Sequence, residues 1–452
     1  MCEICMVKLD YFAIICYIYG ARGGKMALTK KGYAKRLIDD EIEDLLTMFG
    51  AISIEGPKYC GKTWTASNHA NSSVLLTKSD NPNSDYQRAL IDRELIFTDV
   101  YPELIDEWQS IEQLWDDVRT KCDETSEKGI FILSGSSVPA NQNNIFHSGA
   151  GRIVKLNMYT MSLYESGDSE GIVSLKDLFE NKNISVNLEK KPKLEKFADL
   201  IVRGGWPGSL TFKCENYYRL PESYINDILD HDISYDGVSR DKEKMRMLMR
   251  SLARNENTLV TIQKLTSDIF EYSTDQGNSV NRNTVANYLN VLSNLHLTKE
   301  ILPFSEKIRS SIRVGKSSKR QFVDPSLSCA VLGIKQEHLI KDLNFFGLLF
   351  ESLVIRDLRI YIETLGGKIY HYHENNTGFE VDVILELRDG TFGAIEIKLG
   401  VGKIDEACEN LKQFSEKCTT KPAFLCVISG MIDHAYKRED GIYVVPVTAL
   451  KP

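Results

Sequence analysis

The stretch Ile54-Glu-Gly-Pro-Lys-Tyr-Cys-Gly-Lys-Thr-Trp64 limits what this chain can fold into more than any other. Gly56 and Gly61 stand five residues apart, and Lys62 and Thr63 follow the second glycine directly. In a G-x-x-x-x-G-K-[ST] arrangement the glycines let the backbone curl so that successive N–H groups face phosphate oxygens. This requires a strand leading in and a helix leading out. Both are legible: apolar positions recur at helical spacing from Tyr33 to Leu46, and Phe49 to Ile54 reads as a short buried strand. The helix after the loop adds its positive N-terminal end. The expectation is an ATP-binding loop of Gly56, Pro57, Lys58, Tyr59, Cys60, Gly61, Lys62 and Thr63. Lys62 would reach the β- and γ-phosphates and the Thr63 hydroxyl would hold Mg2+.

Such a loop needs an acid on a neighbouring strand. Leu104-Ile-Asp-Glu-Trp-Gln109 supplies Asp106 for the Mg2+ water shell and Glu107 to polarise the attacking water, although the same pair also suits an acidic helix start. A third strand, Gly129 to Leu133, runs into Ser134-Gly-Ser-Ser137. Ser136 would either sense the γ-phosphate there or cap the next helix.

A chain of 452 residues is too long for one core, so about three domains are expected. The net charge of −8 argues against a protein that coats nucleic acid or membrane with its whole surface, and leaves a local basic face open. The apolar run Tyr11 to Tyr19 is too short to span a bilayer, so no membrane partner is expected. Ten cysteines without framework spacing read as reduced thiols of a cytoplasmic protein. Met26 reads as a natural start, which makes residues 1–25 a dispensable extension.

Beyond Gly204-Gly-Trp-Pro207, a glycine pair and proline that would close the first module, helices follow at Lys242 to Ala253, Val260 to Ile269 and Asn281 to Leu295. With strands at Leu297 to Leu302 and Gln321 to Val323, the last two helices resemble a winged helix. Between those strands Lys307, Arg309, Arg313, Lys316, Lys319 and Arg320 occur without an acid. That density suits a DNA backbone, or a solvated hairpin that guards a strand edge.

The last segment carries a second set of chemistry-bearing residues. A long helix from Gly347 to about Leu365 holds Glu351, and strand-like runs cover Phe379 to Leu387 and Phe392 to Lys398. Alternation puts Glu380 with Asp382 on one face and Glu396 with Lys398 on one face. Asp382 and Glu396 share a side of the sheet only if the connection has odd length. A three-residue turn, Asp389-Gly390-Thr391, or an equivalent bulge is therefore expected, the turn pairing Asp382 with Lys398. Ordinary Glu/Lys cross-strand pairing on a solvated face is the competing account. His371-Tyr-His373 reads as a strand alternating toward solvent rather than a metal pair.

The ordered series GPKYCGKT, LIDEWQ, ILSGSS, SGAGRI, LNMYTMSLYE and GGWP resembles the prokaryotic AAA+-type ATPases that carry a C-terminal domain of uncharacterised function with a restriction-endonuclease-like segment. The matching blocks run from about residue 50 to about residue 400. The resemblance implies an α/β chain: an AAA+-like P-loop NTPase domain with a parallel sheet over 26–210, a helical winged-helix domain over 211–335, and a restriction-endonuclease-like α/β domain over 336–452. It makes Arg152 a γ-phosphate contact, supplied to a neighbouring subunit of a homo-oligomer, where the residues alone equally suit a helix-capping arginine. The C-terminal acids resemble the PD-(D/E)xK site, with Asp382 and Glu396 chelating Mg2+, Glu351 completing the metal set and Lys398 acting on the attacking water. The function so implied is an ATP-dependent enzyme acting on or regulated by DNA. An ATP-driven switch for protein partners, with an inert nuclease-like scaffold, is the alternative.

Overall fold

The computed structural model describes residue 28 and residues 32–139, 148–272, 281–306 and 318–452. The extension expected over residues 1–25 lies outside these, as do Lys307, Arg309, Arg313 and Lys316 of the basic segment. Among the described residues no helix is long and apolar enough to cross a membrane, and every cysteine is a free thiol.

Helix α1 (Asp39–Met48) leads into strand β1 (Ala51–Glu55), and α2 (Lys62–His69) follows the glycine loop. β1 lies inside a five-stranded parallel sheet with β2 (Ser72–Leu75), β3 (Glu103–Asp106), β4 (Phe131–Gly135) and β5 (Ile153–Asn157), in the order β2-β3-β4-β1-β5. Parallel strands are covered on both faces, which is why they read as unbroken apolar runs. One face packs around Trp108, Trp115 and Phe131, the other around Ile42, Ile54 and Ile132. Because the strands are parallel, the loops after β1, β3 and β4 leave at one edge.

The chain continues through β6 (Val173–Ser174), β7 (Ser185–Asn187), α3 (Arg219–Asp230), α4 (Ile262–Tyr272), α5 (Arg282–Asn294), β8 (Thr298–Pro303) and β9 (Lys319–Phe322). Then come α6 (Leu343–Thr364), β10 (Lys368–His373), β11 (Glu380–Glu386), β12 (Phe392–Lys398), α7 (Ile404–Lys417), β13 (Phe424–Ser429), β14 (His434–Lys437), β15 (Tyr443–Pro446) and β16 (Leu450–Lys451). A nine-stranded mixed sheet takes the order β7-β14-β15-β13-β12-β11-β10-β8-β9, while β16 pairs with β6. β8 lies parallel to β10, with Tyr370 beside Leu302, so the two strands expected to form a wing extend the C-terminal sheet.

One apolar core runs from Tyr159 through Trp206, Leu248, Leu292, Phe350 and Ile395 to Leu450, without a break near residue 210 or 335. The Gly204–Pro207 segment is a buried junction inside that core. Trp206 is fully buried, and the Gly205 N–H donates to Asp324 Oδ2 at 2.9 Å. A Cβ on Gly205 would lie 2.1 Å from the Met161 carbonyl oxygen, so only glycine permits the approach.

The β11–β12 register corrects one expectation. Val383 pairs with Ile395 and Glu386 with Phe392, so the connection spans residues 387–391 instead of the three-residue turn. Leu387 N–H donates to Thr391 O at 2.8 Å, the Asp389 carboxylate accepts from Thr391 N–H at 2.9 Å, and Gly390 takes φ 85. These local bonds absorb two further residues. The parity is unchanged, and Asp382 and Glu396 stay on one face. His371 also departs from expectation: it is buried in β10 rather than turned to solvent.

Candidate nucleotide site and a second acidic centre

The loop after β1 is closed by its own residues. Gly61 caps α2 at φ 105, and the Lys62 ammonium donates to the carbonyl oxygens of Gly56 at 2.9 Å and Pro57 at 2.8 Å. A Cβ on Gly56 would meet the Met158 carbonyl oxygen at 2.2 Å, which accounts for the first glycine as a close approach. The Thr63 hydroxyl donates to Asp106 Oδ2 at 3.0 Å, while Asp106 Oδ1 is buried with no partner. A hydroxyl and an orphaned carboxylate oxygen side by side are hard-oxygen donors of the kind Mg2+ takes, so these residues fit that ion. Burial raises the Asp106 carboxyl to about 6, with the neighbouring Glu107 adding to the rise and Ser134, Thr63 and Lys62 opposing it.

Glu107 sits at φ 56 directly after β3, and its N–H donates to Ser134 O at 2.9 Å. Its carboxylate accepts from the Ser136 hydroxyl at 3.3 Å and from the Gln109 amide. The two polar groups picked from different strand ends thus meet each other.

Contacts that no spacing rule signals surround the loop. The buried Arg36 guanidinium donates to Cys60 O at 2.8 Å, Tyr159 O at 3.0 Å and Glu165 Oε1 at 2.8 Å. The Lys58 ammonium bonds both Asp232 oxygens, at 2.6 and 2.8 Å, and the Lys58 backbone N–H donates to the Tyr224 hydroxyl at 3.0 Å. Tyr59 stands edge-on to the Tyr224 ring and donates to Asp227 at 3.3 Å. The side chains of Lys58 and Tyr59 therefore hold α3 and the turn after it. Arg152 lies elsewhere: it precedes β5, whose first residue pairs with Ala51, so it stands at the edge opposite the loop. There its Nε donates to Asp123 at 2.6 Å.

In the second centre, Asp382 and Glu396 are both buried beneath Lys398. The Lys398 ammonium donates to Glu396 Oε2 at 2.7 Å and Asp382 Oδ2 at 3.3 Å, and the Ile397 N–H donates to the same Asp382 oxygen at 2.8 Å. Asn410 of α7 donates to Glu396 Oε1 at 2.7 Å and to Glu380 O at 2.8 Å. Glu351 is held from the other side by the Asn257 amide and the buried Lys319 ammonium, the latter at 3.4 Å. Burial, then the charge of Asp382, raises Glu351 to about 7 and Glu396 to about 8. Lys398 is raised: the charges of Asp382 and Glu396 outweigh a burial that alone would lower it.

A groove of about 440 Å3 opens here, lined by Glu380, Asp382, Glu396, Lys398 and Asn410. Among the described residues no three acids, histidines or cysteines converge closely enough to hold a metal. Of the basic residues proposed for nucleic acid, Lys319 faces Glu351, and Arg320 bonds Glu300 at 2.9 Å and the Val260 carbonyl at 2.8 Å.

Residues 49–167 match the family described as AAA domain, residues 194–338 a domain of unknown function (DUF8612), and residues 346–450 a domain of unknown function (DUF4143). Uncharacterized proteins of Mycobacterium tuberculosis and Mycobacterium bovis are each 23% identical over 350 residues, spanning 77% of this chain and 70% of theirs. Among solved structures, a Walker-type ATPase of Pyrococcus abyssi superposes with a TM-score of 0.40 at 12% identity, over 68% of this chain and 97% of that one. The Orc1 protein of Aeropyrum pernix, solved in complex with DNA, gives a TM-score of 0.27 at 12% identity, over 68% and 94%. The AAA-domain match over residues 49–167 takes in the glycine loop and the parallel sheet beneath it, the arrangement of a P-loop nucleotide-binding fold.

Proposed function

We propose that the chain is an ATP hydrolase whose P-loop module governs a winged-helix-like region and a Mg2+-dependent, nuclease-like centre acting on DNA. The observation that carries this reading is the meeting of Asp382, Glu396 and Lys398 on one sheet face, in a molecule that also has a formed phosphate loop. At the P-loop, Thr63 and Asp106 would hold Mg2+; at the second centre Asp382 and Glu396 would, with Glu351 as the third acid. Bound there, Mg2+ supplies charge neutralisation at phosphoryl oxygens. Lys62 exchanges its loop carbonyls for the β- and γ-phosphates. Glu107, oriented by Ser136 and Gln109, polarises the water that attacks the terminal phosphate, and Lys398 orients the water that attacks a phosphodiester. Arg152, remote from its own loop, suits a contact to the nucleotide of a neighbouring subunit in a homo-oligomer.

One observation favours the second reading, an ATP-driven switch for protein partners with an inert scaffold. The three carboxylates assigned to the metal already have protein donors: Lys398 and Asn410 for Glu396, Lys398 and the Ile397 amide for Asp382, Lys319 and Asn257 for Glu351. ATP turnover in Mg2+ with duplex or single-stranded DNA, followed by a search for nicks, separates the two. Lys62→Ala is expected to lower turnover about 100-fold or more, and Lys398→Ala to abolish cleavage while leaving turnover intact. Absence of cleavage on every DNA, or cleavage that survives Lys398→Ala, would hand the argument to the switch.

A further inference from the structure

The turn between α5 and β8 lies against the nucleotide loop. The Val138 N–H, just past Ser136, donates to the Asn294 carbonyl at 3.0 Å, which ties the last residue of α5 to the segment leaving β4. Two residues on, His296 adopts φ 57, the left-handed backbone that histidine enters more readily than most residues other than glycine. Its ring is buried at 7% exposure, and Nε2 has no partner. Burial and the nearby charges of Lys299, Lys62 and Lys155 hold its pKa down to about 3, so the ring is neutral and Lys62 of the glycine loop is within its electrostatic reach. A buried ring nitrogen left unsatisfied, with the charge of the P-loop lysine felt at the ring, has bonding capacity to offer a group that enters the site. Ser136 lies on the segment to which the turn is tied, and its hydroxyl donates to Glu107, the residue assigned above to the attacking water.

We infer that His296 donates a hydrogen bond from Nε2 to the terminal phosphate of a bound nucleoside triphosphate, so that the α5–β8 turn reads whether the loop holds a triphosphate or a diphosphate. This rests on the assignment of the Gly56–Thr63 loop to a nucleoside triphosphate. A phosphate arriving beside Lys62 replaces a field that disfavours positive charge on the ring with one that favours it, which strengthens the bond. The tie between Asn294 and Val138 then couples the occupied loop to β8, and through β8 to the nine-stranded sheet.

The test uses the full chain with Mg2+ and measures binding of a non-hydrolysable ATP analogue and of ADP by calorimetry. His296→Asn and His296→Gly both tolerate positive φ, so they remove the imidazole and keep the turn. Thermal melts verify that each variant folds. Affinity for the ATP analogue is expected to fall about 10-fold in both variants while ADP affinity stays within about twofold. In the wild-type chain, the analogue and not ADP should slow hydrogen exchange at the amides of residues 294–303, and His296→Gly should lose that difference. An unchanged ratio of the two affinities, or equal weakening of both nucleotides, overturns the inference. A wild-type chain that binds neither nucleotide overturns the P-loop assignment itself.

Discussion

A single amide aims one carboxylate of the second centre. Asn410 reaches across from α7 to hold Glu396 Oε1, leaving Oε2 for Lys398. Groups that orient a metal-binding or catalytic carboxylate in this way typically change activity by 10–100-fold when removed. On the proposed function, Asn410→Ala is therefore expected to lower DNA cleavage about tenfold or more, with ATP turnover unaffected, as measured on the same preparation. Unchanged cleavage would mean that Glu396 is aimed by Lys398 alone. At this scale legibility was uneven. The strand-to-helix loop that carries Gly56, Lys62 and Thr63 could be placed from spacing because such a loop is local in sequence. The contacts of Asn410 and Arg36 could not, because each is made to a residue more than ten positions away.

Among the elements, the hairpin of β11 and β12 places the acids, and it does so through parity. Strand periodicity located both runs to within a residue or so, since alternation and apolar content are written locally. The five-residue connection was not legible, because Asp389 and Thr391 bond within the loop and either turn keeps Asp382 and Glu396 on one face. β12 also depends on Gly393, which lies against the Phe424 ring of β13: a Cβ there would sit 2.1 Å from the ring. Gly393→Val is expected to destabilise the fold by about 1–3 kcal/mol through overpacking, seen as a lower midpoint in chemical denaturation. A midpoint equal to that of the wild type would show that Phe424 can move aside.

The whole molecule is joined by buried charge as well as by its apolar core. Asp324 accepts from the Thr160 hydroxyl at 2.8 Å, the Gly205 N–H at 2.9 Å and Arg356 at 3.0 Å, linking the region after β5 to the end of β9 and to α6. Nearby, the fully buried Glu256 accepts from the Phe322 N–H, Ser328 and Ser352. Burial, with a smaller contribution from Asp324, raises its carboxyl to about 8, while those three bonds oppose the rise. The sign follows from proton counting. Below about pH 4.5 both folded and unfolded chains hold this proton. Between there and pH 8 the unfolded chain releases it and the folded chain keeps it, so this contribution to stability falls as pH rises through the window. Glu256→Gln stays neutral throughout, and the stability difference between wild type and variant should shift toward the variant by on the order of a few kcal/mol from pH 5 to pH 8.5. Parallel stability curves across that range would contradict the proposal. The sequence alone determined the glycine loop between a strand and a helix, and the strands that carry the acids of β11 and β12, because those rest on local backbone chemistry and on the periodicity of side chains. Only the tertiary structure decided that β8 and β9 join the C-terminal sheet, that Arg152 faces away from its own loop and that Lys319 turns inward to Glu351. Those outcomes depend on which distant surfaces pair to remove apolar area and charge from water, and no stretch of sequence contains that information by itself.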